Sequence, residues 1–209
     1  VTFIDDLIGN ILQVVDQKKI HDNTQIFYLS DHGDNIGERD FWGKSNFYEE
    51  SVGVPCIIKG PDIPAGKVCK TPVSLIDIHP TILQTAGIDL GTKPGASLIE
   101  IANADDDPER LVFSEYHAMG SATGAFMLRK GHWKFIYYVS MQPQLFNLFE
   151  DPDELHDLGA DPNYADVRCQ MEANLRSICD PESVDAAAKA DQAAIVEANG
   201  GTEAVVARG

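Results

Sequence analysis

The stretch QIFYLSDHGDNIGERDFWGKSNFYEESVGVPCIIKGP, Gln25–Pro61, decides the fold. It opens on a short apolar, β-prone run at 25–30 and crosses a polar, glycine-bearing, non-periodic segment at 31–50. It closes on a second apolar run at 54–59, stopped by Gly60 and Pro61. Upstream, Phe3, Ile4, Leu7, Ile8, Ile11, Leu12, Val14 and Val15 recur with helical spacing, which predicts a helix over 3–17. Helix, buried strand, long loop and buried strand is the order of an α/β sheet. Ligands of such sheets bind beyond the carboxyl ends of the strands, so the loop after 25–30 is where chemistry is expected.

Farther along, residues 72–76 read as another short strand. Asp77 reads as the cap of a helix that Gly87 ends, and Pro80 is allowed in its first turn. Residues 88–110 read as a connector with one short helix near 97–103. The pattern then changes. Residues 111–117, 124–130, 133–139 and 144–149 are β-prone runs, with Gly131 and His132 as a hairpin turn, and predict a small antiparallel sheet. Tyr164, Val167, Met171, Leu175 and Ile178 form a helical stripe over 163–178, and an Ala-rich helix over 182–198 leads into a polar tail. The expected organisation is an α/β body at 1–105, a small sheet with its packing helix at 106–180, and a helical tail at 181–209.

Composition narrows the function classes. Of 209 residues, 33 are acidic and 16 basic, a formal charge of −17, and 44% are hydrophobic. This is a globular composition. Its surface is too acidic for general nucleic-acid binding, which needs cationic stripes, and it disfavours anionic membranes. A buried anion pocket stays possible, because such a pocket sets its own field. The sequence has no uninterrupted apolar run of membrane-spanning length. Cys56, Cys69, Cys169 and Cys179 form no C-x-x-C pair and no zinc-finger spacing, which fits a reducing, cytoplasmic setting. Cys56, in an apolar strand pattern, is expected to be a small core residue.

The chemistry-bearing residues cluster in the long loop. Ser30-Asp31-His32-Gly33-Asp34 places a carboxylate beside an imidazole at a strand's end. The pair suits a divalent ion, with further ligands from elsewhere. On spacing alone it suits at least as well a turn in which Asp31 and Asp34 cap backbone amides and His32 is exposed. Lys44, after Gly43, is either solvated or a point charge aimed at an anion. His117, in EYHAMGS, is either a proton carrier or a packing residue. Glu49 and Glu50 read as the polar end of the loop. Gly33, Gly37 and Gly43 match no phosphate-binding glycine pattern.

Taken in order, several motifs resemble the C-terminal half of a type I sulfatase, in the alkaline-phosphatase-like superfamily. They are S-D-H-G at Ser30, G-K at Gly43, Y-E at Tyr48 and V-P at Val54. D-x-x-P-T-x-L-x-x-A-G follows at Asp77–Gly87, and Q-L-F-N-L-x-x-D-P at 144–152. The stretches EYHAMGS and GAFMLRKGHWKF resemble the branch with choline-sulfatase-like and phosphonate monoester hydrolase-like enzymes. The resemblance implies part of an α/β/α sandwich followed by a small antiparallel sheet subdomain with C-terminal helices. It implies Asp31 and His32 as metal ligands, for calcium or alternatively manganese, with Lys44 on the sulfate and leaving oxygen and His117 on the substrate side. The family nucleophile, a formylglycine made within C/S-x-P/A-x-R, has no counterpart here. Cys179-Asp180-Pro181-Glu182-Ser183 lacks the arginine and lies at the wrong end. The chain is therefore expected to be the C-terminal part of a hydrolase of small sulfate esters, inactive alone. The alternatives are a phosphonate or phosphate ester hydrolase and a non-catalytic fragment or subunit. Association through an exposed sheet edge or as a homo-oligomer is also expected.

Overall fold

The apolar spacing of residues 3–15 does produce a helix, α1 (Thr2–Gln17), but none of its residues is buried. The computed structural model describes residues 1–89, 91, 94–118 and 121–207. These fall into two units, Val1–Gly33 with Gly53–Asp107, and Asp34–Val52 with Pro108–Gly209.

In the first unit, β1 (Ile26–Leu29) pairs antiparallel with β4 (Cys56–Lys59), from Ile26 opposite Lys59 to Leu29 opposite Cys56. Gly60 follows at φ +148°, where a Cβ would stand 2.8 Å from the Thr24 carbonyl oxygen, so only glycine lets the chain pass. The two strands are more open than the sequence suggests. Among the described residues each pairs only with the other, Ile57 and Tyr28 are exposed, and Cys56 is exposed rather than a core residue. Residues 72–76 form no strand. Ser74 instead starts a capping box, and Leu75–Asp77 is a 3-10 turn running into α3 (Ile78–Thr85). Asp77 is wholly buried. Its carboxylate accepts from the Ser74 N–H at 2.8 Å and the Ala96 N–H at 2.9 Å, and its carbonyl accepts from the Thr81 hydroxyl at 2.5 Å. The same Thr81 oxygen accepts from the Leu98 N–H at 2.8 Å and so ties α3 to α4 (Leu98–Asn103). Gly87, at φ +66°, closes the end of α3.

The second unit is built on the predicted sheet. β5 (Leu111–Tyr116), β6 (Ala125–Lys130), β7 (Trp133–Tyr138) and β8 (Gln144–Asn147) run antiparallel in sequence order, and Gly131 turns at φ +54° between β6 and β7. Strand alternation divides its two faces. Phe126, Leu128, Phe135 and Leu145 face α5 (Ala165–Ile178), packing on Met171 and Leu175. Ala125, Met127, Ile136 and Phe146 face the other way and pack on Phe47, Tyr48 and Val52. Much of the long loop, residues 34–52, thus belongs with this sheet. It contains β2 (Asn35–Ile36), β3 (Trp42–Gly43) and α2 (Glu49–Val52). α6 (Pro181–Ala198) and α7 (Gly201–Val206) complete the unit. No helix among the described residues is long and apolar enough to cross a membrane.

Candidate active-site elements

In the first unit, the chain leaves β1 through Ser30, whose hydroxyl donates to the His32 carbonyl at 2.7 Å and folds the backbone into a turn. The turn brings the Asp31 and His32 side chains together. His32 Nδ1 lies 2.7 Å from the Gly33 carbonyl, and Nε2 lies 3.3 Å from Asp31 Oδ2. A carbonyl can only accept, so Nδ1 carries a proton and donates to it. With Nδ1–H kept on that carbonyl, Nε2 is the ring nitrogen that would offer its lone pair to a bound cation. One hard oxygen and one imidazole nitrogen therefore face a common point, with Asp31 largely open to solvent. This donor pair fits a divalent cation. Among the described residues, no group of three or more His, Cys, Asp or Glu side chains converges, so the pair is only part of a coordination shell.

In the second unit, the backbone around Lys44 is held from both sides. Asn35, 1% exposed, donates its side-chain amide to the Gly43 carbonyl at 2.6 Å. Ser51, also buried, donates its hydroxyl to the carbonyl of Lys44 itself at 2.5 Å. Gly43 takes φ +89°, which a side chain would disfavour. Beside this segment lies a cavity of about 180 Å³, lined by Ser45, Phe47, Tyr116, Thr123, Tyr138 and Met141. The Tyr116 hydroxyl donates to Ser45 Oγ at 3.2 Å across its edge. Burial pushes the Tyr138 phenol up to about 12, so it stays protonated and acts as a neutral hydrogen-bonding group.

His117 lies on the other face of the sheet. It follows Tyr116, so alternation turns it toward α6. Its ring packs edge-on against Phe126 at 5.2 Å, and Nε2 stands 3.6 Å from Glu115 Oε2. A Cβ at Gly124 would meet the ring at 3.0 Å. Asp185 on α6 accepts from the Gly124 N–H at 2.7 Å, and Gln192 donates to the His117 carbonyl at 2.5 Å. The neighbouring Gly120 lies outside the described residues. The structure therefore brings Asp31 and His32 together and sets Lys44 beside a cavity. It places His117 under a helix rather than among the cavity's lining residues.

Comparison with known proteins shows what the chain is similar to. Residues 1–88 match the sulfatase family model. The choline-sulfatase of Rhizobium meliloti is 36% identical over 200 residues, covering 92% of this chain and 39% of that protein. Arylsulfatase K of Danio rerio is 36% identical over 190 residues, covering 86% and 36%. The structure of BT4656 in complex with its substrate D-glucosamine-2-N,6-O-disulfate superposes with a TM-score of 0.76 at 26% identity, over 84% of this chain and 38% of that one. The phosphonate monoester hydrolase of Agrobacterium radiobacter gives 0.71 at 25% identity, over 83% and 38%. The chain resembles the C-terminal portion of a sulfatase. It spans under two-fifths of the length of these curated relatives. Its fold is the corresponding part of the alkaline-phosphatase-like sulfatase architecture, with the small antiparallel sheet and C-terminal helices.

Set against this sulfatase frame, one group escaped the sequence reading. Lys134, wholly buried on β7, places Nζ 2.8 Å from both Glu49 Oε1 and Glu154 Oε1. Glu154 Oε2 accepts from the Glu49 N–H at 2.6 Å. Arg129 sits opposite Lys134 in the strand register, and the charges of Glu49 and Glu154 act on it. Arg39 pairs with Glu50, donates to the Asp153 carbonyl at 2.6 Å and lies over the Tyr48 ring at 4.1 Å. The available signal was a lysine at an inward strand position, two residues before the buried Ile136.

Proposed function

We propose that the whole protein hydrolyses sulfate esters of small molecules, and that these 209 residues supply part of its metal site and its charge-neutralising lysine. The observation that carries this is the held Lys44 in a chain of sulfatase pattern that also pairs Asp31 with His32. Asp31 and His32 Nε2 would hold a divalent cation, calcium or alternatively manganese. When bound, it supplies positive charge against the sulfate oxygens. The nucleophile is expected from a formylglycine elsewhere in the whole protein. Lys44 directs its ammonium at the leaving oxygen and offsets the negative charge that develops there as the S–O bond breaks. His117 keeps its expected place on the substrate side only if it acts through the loop that follows it, since its ring packs toward α6.

Matched aryl sulfate and aryl phosphonate esters given to the full-length protein test the reading. The expected result is faster sulfate turnover, and a loss of about a hundredfold in kcat for Lys44→Ala. An unchanged Lys44→Ala variant would defeat the role of Lys44. Preference for the phosphonate would move the protein to the second reading, which the likeness to the phosphonate monoester hydrolase favours. We also propose that the open face of α1, with Phe3, Leu7 and Ile11 exposed, is covered by the remainder of the whole protein, since this chain spans under two-fifths of its curated relatives. A clean monomer of the 209-residue chain in sedimentation would contradict that.

A further inference from the structure

We propose that the ion cluster of buried Lys134 and Glu154 with the partly exposed Glu49 acts through α2 and Ser51 to position Lys44 for catalysis. The proposal rests on the sulfatase reading of Lys44. Short contacts carry it, joined through the chain of α2. The Lys134 ammonium, reached by no solvent, grips the carboxylates of Glu154 and Glu49 together, both at 2.8 Å. Glu154 turns its second oxygen to the Glu49 N–H, so Glu49 is held by side chain and backbone at once. Glu49 is the first residue of α2, and Ser51 is its third. The Ser51 N–H donates to the Tyr48 carbonyl at 2.8 Å, which fixes the turn, and its hydroxyl then clamps the Lys44 carbonyl.

The sheet is the rigid member of this arrangement. Lys134 and Arg129 project from paired positions on β7 and β6, between neighbours that pack the sheet's interior. A loop residue on a long flexible stem gains directional precision only if its backbone is fixed. Here the fixing comes chiefly from the Lys134–Glu154 pair, which is buried where water screens it little. Glu154 itself takes φ +51°, a left-handed backbone that glutamate rarely adopts, so the surrounding contacts hold it there. Lys134, Glu154 and Ser51 are positioning residues, because none needs to touch substrate.

The test uses the full-length protein and p-nitrophenyl sulfate, with Ser51→Ala, Glu154→Gln and Lys44→Ala alone and in pairs. Displacing a reacting group by about an ångström costs up to about a hundredfold, so Ser51→Ala is expected to lower kcat by about tenfold, with KM little changed. In the Lys44→Ala background, Ser51→Ala and Glu154→Gln are expected to change kcat by less than about twofold, because the group they act through is gone. Losses that multiply in that background overturn the proposal, as does wild-type kcat in Ser51→Ala. If Lys44→Ala itself keeps wild-type kcat, the reading of Lys44 fails first, and the proposal with it. If Glu154→Gln does not fold, Ser51→Ala carries the same test. Hydrogen exchange on the full-length protein adds a readout without turnover. Ser51→Ala must speed exchange across 43–52 and leave β6 and β7 protected. Unchanged exchange at 43–52 counts against the clamp.

Discussion

Lys134→Met keeps the aliphatic stem and deletes the ammonium. It leaves two carboxylates without their shared partner. Glu49, with a partly exposed side chain, can turn to water, whereas the Glu154 side chain has no exposure. Removing one partner of a buried ion pair costs about 3–5 kcal/mol, chiefly as the penalty of the charge left behind. Arg129 remains across the strand and softens that penalty, so the low end, about 3 kcal/mol, is expected. For a chain of this size that lowers the midpoint of thermal unfolding by about 6–12 °C. Both tryptophans, Trp42 and Trp133, lie in the second unit, so their fluorescence reports the relevant transition selectively in urea or heat.

The pH dependence makes the prediction specific. Burial already holds the Glu154 carboxyl above its ordinary 4.5, and Lys134 opposes that rise. Without the lysine it rises further. A carboxyl whose folded pKa exceeds its unfolded one binds more protons in the folded state. Stability from that protonation is therefore present below the ordinary value and lost as pH climbs through the folded one. The deficit of Lys134→Met should be greatest at neutral pH and shrink on acidification. Adding Glu154→Gln should restore stability at pH 7, because the orphaned charge is gone. The reasoning is refuted if Lys134→Met stays within about 0.5 kcal/mol of the parent at neutral pH, as a surface change would. It is refuted equally if the double variant is weaker than the single one.

Asp185→Ala removes the acceptor of the Gly124 N–H at the start of β6 and should cost about 1–3 kcal/mol by urea denaturation. The Lys189 ammonium bound to it, together with the Gly124 N–H, holds the Asp185 carboxyl below its usual range. Its stabilisation is thus present above the ordinary aspartate value and lost as pH falls through the lowered one, an acid-side loss that the alanine variant should lack. Gly60→Ala forces a Cβ to 2.8 Å from the Thr24 carbonyl at φ +148°, and should destabilise the β1–β4 pair by about 1–3 kcal/mol, seen as faster hydrogen exchange at 26–29 and 56–59. Chelator treatment of the full-length protein should abolish turnover and added calcium or manganese restore it. Asp31→Asn and His32→Ala should raise the metal concentration needed by about 10–100-fold, and an unshifted titration would remove them from the metal site.

The second unit was the more legible one because its residues obey simple periods. β5 to β8 alternate, Gly131 marks the hairpin and Met171 lies on a clean helical stripe, all as the sequence indicates. Legibility failed where side chains outbid the backbone pattern. Residues 72–76 carry β-prone side chains, but Ser74 and Asp77 exchange hydrogen bonds and draw the chain into a turn. Cys56 sits in an apolar run whose burial a two-stranded pair does not provide. Among the candidate residues, Asp31, His32 and Lys44 carry recognisable chemistry in adjacent text. Lys134, Glu49 and Glu154 are separated by 85 and 20 residues, and no local spacing announces that they meet. His117 carried both a packing and a substrate reading, and the register of β5 distinguishes the two faces.

That register has a practical corollary for altering the molecule. Tyr116 and His117 are neighbours in the chain, yet one edges the cavity beside Lys44 and the other abuts α6. The four-stranded sheet is a bulkhead that separates the helical side from the lysine side. Variation in α5, or along the outward surface of α6, should therefore accumulate without detuning Lys44. A one-residue insertion in β5 would transpose Tyr116 and His117 across the bulkhead and undo both compartments in a single step.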